Sequence, residues 1–251
     1  GFAGGAWLFH AADDEPEVRL SSSAASADAV ADDAVAVAVL VPVVITVAEQ
    51  ATQPVRNRIA GSPSAPQSMP PKQAARVRIP EASIAYRFAV ERAVIAEFGL
   101  AAPIDIVAAQ LHQESLWRED ARSAYAQGLA QFTPATAKWL PSVCPQLGAF
   151  DPWDAGQSIR AAACYDRWLH ARNNGATACD RYAMMLSDYN GGMKWRQRDQ
   201  ALAAKAGLDA ARWFDHVETA RSRSIAAHQE NRSYVHRILR VLAPAYASAG
   251  W

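Results

Sequence analysis

The chain has no net charge. Its 25 Lys and Arg balance 25 Asp and Glu, which removes the overall field that would draw nucleic acid. Cysteine is scarce. Cys144, Cys164 and Cys179 are odd in number and too few for a disulfide framework. Buried free thiols are the simplest reading. One bridge, Cys164 to Cys179, is open to a protein working in an oxidising compartment. There is no CxxC pair and no His/Cys cluster, and the six histidines are scattered, so neither a metal nor another cofactor is expected. No internal repeat is visible. No apolar run reaches the roughly 20 residues that a membrane-spanning helix needs. After Pro80 no stretch alternates apolar and polar residues as a half-buried strand would.

What is present divides the chain in three. Residues 1–50 hold eight Asp and Glu against one Arg. They include the small, polar SSSAASADAVADD and then AVAVAVLVPVVITVA, from Ala34 to Ala48. That run is apolar except for Thr46, and Asp32 and Asp33 precede it where a signal peptide would carry Lys or Arg. It is read three ways: a segment buried in an assembly, a membrane-inserting segment, or an atypical signal region. Residues 51–80 hold five Lys and Arg and no acid, with several prolines and small residues, the composition of an extended linker. Residues 81–251 read as the folded domain.

That domain reads as almost entirely α-helical. In EASIAYRFAVERAVIAEFGL the residues Ile84, Phe88, Val94, Ile95 and Phe98 fall near one helix face, interrupted by Glu91, and Gly99 is a stop. APIDIVAAQLHQES starts near Pro103 and carries the stripe Ile104, Val107, Ala108 and Leu111. Glu114 continues that stripe. PATAKWL opens a short helix at Pro134, and amphipathic helices follow in DAGQSIRAAACYDRWLHARN, CDRYAMMLSDYN and AAHQENRSYVHRILRVLAPAYASAG. The basic, aromatic GGMKWRQRDQ reads as a solvated loop.

Glu114 is the residue with chemistry. A carboxyl on an apolar helix face is desolvated and holds its proton toward neutrality, which suits it to protonate a leaving oxygen, the general-acid step of glycoside cleavage. The structural alternative is a helix-end acid paired with Arg118. No second carboxylate stands beside it in sequence; Glu119 and Asp120 lie one to two turns on if the helix continues.

The surrounding residues extend this reading. Glu114-Ser115 is followed nine residues after the Glu by Ser123, then by GLAQFTPATA (residues 128–137), Tyr189-Asn190-Gly191-Gly192, and Glu230-Asn231-Arg232-Ser233-Tyr234-Val235. In this order the motifs resemble the soluble lytic transglycosylase family, whose catalytic domain is lysozyme-like, and the later segments resemble its phage and prophage members. The resemblance spans the region after Pro80 and none of the N-terminal third. Ala130 stands where the family usually has Met, and the loop RSAYAQG is one residue shorter than the common form.

The resemblance implies a peptidoglycan lytic transglycosylase. Glu114 would protonate the β-1,4 glycosidic oxygen between N-acetylmuramic acid and N-acetylglucosamine, with the substrate's acetamido group stabilising the sugar cation. It would then accept the proton of the C6 hydroxyl, giving a 1,6-anhydro product. Tyr189 would hydrogen-bond Glu114, with Glu230 as further support. Ser115, Ser123, Gln131, Phe132, Asn190, Gly191 and Tyr234 would bind substrate, the glycines allowing sugar close to the backbone. Phe132 and Tyr125 read alternatively as packing. A hydrolase on the same fold, a bacterial cell-wall remodelling enzyme tied to a secretion system, and a structural virion protein with an inactive site are the other readings. The expected partner is the glycan strand. Ala34 to Ala48 is expected to contact other virion or ejection proteins or a membrane, and no specific nucleic-acid recognition is expected. The expected setting is a phage virion acting at the host cell wall, or otherwise the bacterial periplasm.

Overall fold

A computed structural model describes residues 77–251 of the chain; the run from Ala34 to Ala48 and most of the linker lie outside them. Eight α-helices account for the described region: α1 (Ser83–Phe98), α2 (Ile104–Ser115), α3 (Pro134–Trp139), α4 (Ala155–His170), α5 (Ala178–Gly191), α6 (Met193–Lys205), α7 (Ile225–His236) and α8 (Ala243–Ser248). Among the described residues there is no strand, only two isolated bridges pairing Gln127 with Arg122 and with Phe132. The all-α, lysozyme-like expectation holds.

Local chemistry explains the helix ends. Gly99 adopts φ 73° and donates its N–H to the Ile95 carbonyl, which closes α1. Thr133 caps α3 by accepting from the Thr136 N–H, with Pro134 at the first helical position. Asp154 caps α4 through the Gln157 N–H at 2.7 Å. Thr177 and Asp180 form a reciprocal capping box at the start of α5. Between α7 and α8 the helix widens into a π segment, Arg237–Leu242. Pro244 follows it; a proline offers no N–H and its ring crowds the carbonyl four residues back, so the wider turn lets the chain pass without breaking.

The core is built where α4 and α5 pack together, with α1 on α4 and α7 on α5, while α2 lies against α8 and the π segment. Val107, Ala108 and Leu111 of α2 are buried as expected. The face expected for α1 is corrected. Val90, Ala93 and Val94 point inward, while Ile84 and Phe88 are 69% and 76% exposed. Small buried side chains on both helices, Ala93 on α1 and Ala161 and Ala162 on α4, suit a close backbone approach that bulky Phe88 would prevent. GGMKWRQRDQ is corrected too. It begins α6, and Arg196 and Asp199, polar in sequence, are both buried there.

Cysteine pairing differs from both sequence readings. Cys144 and Cys164 form a disulfide, and Cys179 is free and exposed. Cys144 ends a short turn that folds back on α4, so its partner is a residue 20 positions away, whereas Cys179 sits at the start of α5.

Candidate active site

α2 ends one residue after Glu114. Its C-cap Leu116 and then Trp117 have φ of 54° and 64°, a left-handed pair that is costly for bulky side chains. Tertiary contacts hold it: Trp117 is buried, lies parallel to Tyr86 at 5.9 Å between ring centres, and donates its indole N–H to the Tyr246 hydroxyl at 2.5 Å. Because the helix stops there, Glu119 and Asp120 swing into solvent and are not neighbours of Glu114; Glu119 accepts from the Tyr86 hydroxyl at 3.2 Å. Arg118 turns its Nε to the Ser115 carbonyl rather than to Glu114.

Glu114 is half-buried on the line continued from Val107 and Leu111. Its Oε1 accepts a hydrogen bond from the Tyr234 hydroxyl at 2.5 Å. Burial pushes its carboxyl from the usual 4.5 to about 8; the Tyr234 hydrogen bond opposes this, and the charges of Asp166 and Glu230 add to it. The group therefore carries its proton near neutrality, the state a general acid needs, on a residue that is not wholly enclosed.

The tyrosine roles differ from expectation. Tyr234, expected to bind substrate, holds Glu114. Tyr189 instead donates to the Ala130 carbonyl at 2.8 Å. Both tyrosines feel the charge of Glu114, and burial raises both well above the ordinary phenol range. Tyr189 thereby ties α5 to the 128–137 loop, at the position where the family has Met; Ala130 also donates its N–H to Ser158 Oγ.

Several expected substrate contacts prove to be internal. Phe132 is buried, edge-on to Phe150 at 5.5 Å and tilted against Tyr189 at 6.0 Å; it packs the floor and has no open face. Ser115 is buried and donates to the Leu111 carbonyl. Ser123 Oγ accepts from the Tyr125 and Ala126 N–H groups and shapes the loop. Gln131 Nε2 donates to the Ala121 and Gly128 carbonyls at 3.0 and 2.8 Å. Asn190 and Gly191 end α5, and Asn190 Oδ1 accepts from Asn231 Nδ2 at 2.9 Å. A Cβ on Gly191 would fall 2.3 Å from Arg223 Nη1 and 2.8 Å from Asn231 Nδ2, so this glycine makes room for protein, not sugar. Glu230, half-buried on α7 one turn before Tyr234, acts on Glu114 through its charge. Tyr125 is exposed.

Sequence reading missed Asp166. It lies on α4, fully buried, and burial lifts it from 3.8 to about 8. Its Oδ1 accepts from Gln110 Nε2 at 3.2 Å. The signal was present: Ile159, Ala162, Asp166 and Leu169 share the 3–4 residue spacing of one helix face, which puts an acid on an apolar stripe, as with Glu114. A second carboxyl therefore does accompany Glu114, but from the core side, where a glycan or an attacking water has no access.

Residues 100–210 match the family described as Transglycosylase SLT domain. The membrane-bound lytic murein transglycosylase F of Maricaulis maris (strain MCS10) is 34% identical over 132 residues, which are 52% of this chain and 27% of that protein. Its namesake from Alcanivorax borkumensis (strain ATCC 700651 / DSM 11573 / NCIMB 13689 / SK2) is 35% identical over 112 residues, 44% of this chain and 22% of that protein. The chain thus spans about a quarter of the length of these curated relatives. The stretch that carries Glu114, the Ala130 loop, Asp166 and Tyr189 lies within the residues that match the Transglycosylase SLT domain family.

Proposed function

We propose that the chain is a peptidoglycan lytic transglycosylase that cleaves the β-1,4 bond between N-acetylmuramic acid and N-acetylglucosamine and leaves a 1,6-anhydro end. The observation that carries this is Glu114: a half-buried carboxyl that keeps its proton to about 8 and is held by Tyr234. It gives that proton to the glycosidic oxygen as the C1–O bond breaks, and the substrate's acetamido oxygen shields the cation at C1. The resulting carboxylate then takes the proton of the C6 hydroxyl as that oxygen closes on C1, so Glu114 ends protonated and no water is consumed. Tyr234 donates to the carboxylate formed between the two steps. Glu230 stands near enough for its charge to favour the acid form.

The hydrolase reading needs a carboxylate that activates water. Asp166 is too deeply buried to do so. Glu230 is the residue that product analysis tests. Digestion of purified peptidoglycan with wild type and with Glu114→Gln, read by mass spectrometry, is expected to give anhydro-muropeptides from wild type alone. General acid–base catalysis contributes about 10²- to 10⁴-fold, and the variant is expected to lose at least the lower figure. Reducing ends about 18 Da heavier, by one water, would assign a hydrolase instead.

The division into residues 1–50, a linker at 51–80 and a catalytic domain at 81–251 belongs to the same proposal. The site of action is the cell wall, outside the cytoplasm, and the Cys144–Cys164 disulfide supports an oxidising compartment. Both similar proteins are membrane-bound by name. Among the described residues no helix is long and apolar enough to cross a membrane; Ala34 to Ala48, outside them, is the segment proposed for membrane contact. Carriage in a virion for genome delivery rests on the composition of residues 1–50 and the family flavour. Recovery of the native protein from cell envelopes and never from particles would remove it.

A further inference from the structure

Asp166 is the buried acid that the reaction above does not use. Its Oδ2 and the Oε1 of Gln110 are both buried without a hydrogen-bond partner, although Gln110 Nε2 reaches Asp166 Oδ1. Two acceptor oxygens without donors in one acid–amide pair are a costly arrangement for an ionised carboxylate. A single proton on Oδ2 removes the charge and supplies the one donor that the pair lacks. Gln110 and Glu114 are four residues apart on α2, hence on one face of it. The acid held by Gln110 on α4 therefore stands one helical turn behind the acid that would meet the glycan.

The groups around Asp166 share one sign of influence. Glu114 faces it from α2, Tyr189 from α5, and Tyr234 from α7, and each of these is raised by the Asp166 charge. Tyr165 adjoins it on α4 and is raised by it as well. Asp188 of α5 and Glu230 of α7 add further negative charge to the same neighbourhood, acting on Tyr165 and Glu114. Arg196 pairs with Asp188 at 2.7 Å, whereas Asp166 itself is answered only by the Gln110 hydrogen bond.

We propose that Asp166 is a positioning residue whose ionisation is linked to that of Glu114, so that the two carboxyls cannot both lose protons near neutrality and Glu114 meets its substrate as an acid. Asp166 touches no substrate and gives up no proton in the reaction. Its effect is exerted through Glu114: once Asp166 ionises, its charge opposes the loss of the second proton, and the pair titrates in two linked steps rather than as two independent groups. Burial of both carboxyls to about 8 is in keeping with this. The inference rests on the proposed role of Glu114 for its kinetic consequence, but not for its titration.

The test uses the full chain and Asp166→Asn, which keeps the shape and removes the acid. The basic limb of kcat/KM against pH is expected to move down by about one unit, the coupling that defines linked titration. Infrared titration of the protonated-carboxyl stretch in the free protein is expected to show two linked losses at and above neutrality in wild type. A single loss at lower pH is expected in Asp166→Asn. Should Asp166→Asn fail to fold, Glu114→Gln serves in its place: the last carboxyl loss of wild type is then expected to disappear and Asp166 to titrate at lower pH than that step, and a loss left at the same pH would overturn the inference. An unmoved basic limb together with an unmoved Glu114 band in Asp166→Asn would leave Asp166 as a packing residue and overturn the inference, whatever the change in melting temperature. Linked infrared titration in a protein that cleaves no peptidoglycan would uphold the Asp166–Glu114 link and sink the proposed function instead.

Discussion

Asp188 and Asp199 are buried beside guanidinium groups, whereas Glu114 and Asp166 are buried beside tyrosines and an amide. Asp188 accepts from Arg196 at 2.7 Å. Asp199 is shared by Arg232 at 2.7 Å and Arg223 at 3.4 Å, and also accepts from the Ser222 hydroxyl and N–H. Around Asp188, burial raises the carboxyl only to about 6, because the Arg196 hydrogen bond and charge pull it back down. Around Glu114 and Asp166 no cation answers burial, and both reach about 8. One domain thus contains the same functional group in two settings. Where a cation is supplied, the carboxylate fastens α6 to α5 and α7. Where it is withheld, the carboxyl keeps a proton that chemistry can use.

The sharpest way to break that comparison is Asp199→Ala. It leaves Arg223 and Arg232 buried without their anion, and removal of one partner from such a pair costs about 3–5 kcal/mol. Urea denaturation is expected to show a loss of that order, with the pH profile of any surviving activity unmoved. A loss below about 1 kcal/mol, the size of an exposed pair, would mean that this cluster does not fasten the helices.

A smaller effect is expected from Tyr234→Phe. The hydroxyl favours the ionised form of Glu114, so its removal shifts the basic limb of kcat/KM upward, opposite in sign to Asp166→Asn. A hydrogen bond to a charged group is worth about 1.5–3 kcal/mol, so kcat is expected to fall by about 10-fold or more. A downward shift of the limb would contradict the geometry at Glu114 Oε1.

A further effect is on stability against pH. Glu114 and Asp166 have folded values of about 8, above their ordinary 4.5 and 3.8. Between those limits the folded chain binds more protons than the unfolded chain, so these two groups make stability fall as pH rises through that window. Below it both states are protonated, and above it the penalty is constant. A Glu114→Gln, Asp166→Asn double variant is expected to show a flatter melting temperature between pH 4.5 and 8 than wild type. An identical slope would place the two protons elsewhere.

Much of this was legible in the residues. Helix-stop and capping signals act over three or four residues, so Gly99, Pro134 and the amphipathic α4 and α5 could be read directly. Glu114 could be read because its spacing from Val107 and Leu111 sets its face within one helix. The α1 face could not be read: two apolar stripes compete on it, and only the approach of α4 decides that Val94 goes in and Phe88 stays out. GGMKWRQRDQ was opaque for a related reason. Its polar side chains look solvated until Arg196 meets Asp188 of α5 and Asp199 meets Arg223 and Arg232, which are distant in sequence.

The sequence by itself determined an all-α domain with an acid at the end of a buried helix face, because helical periodicity and end chemistry are local. Only the tertiary structure decided which hydroxyl holds that acid, Tyr234 rather than Tyr189, and that Cys144 rather than Cys179 pairs with Cys164. It alone placed Asp166 behind Glu114. These are contacts between helices, and a hydrogen bond or a desolvated charge depends on which faces meet, a choice made by the packing of the whole core.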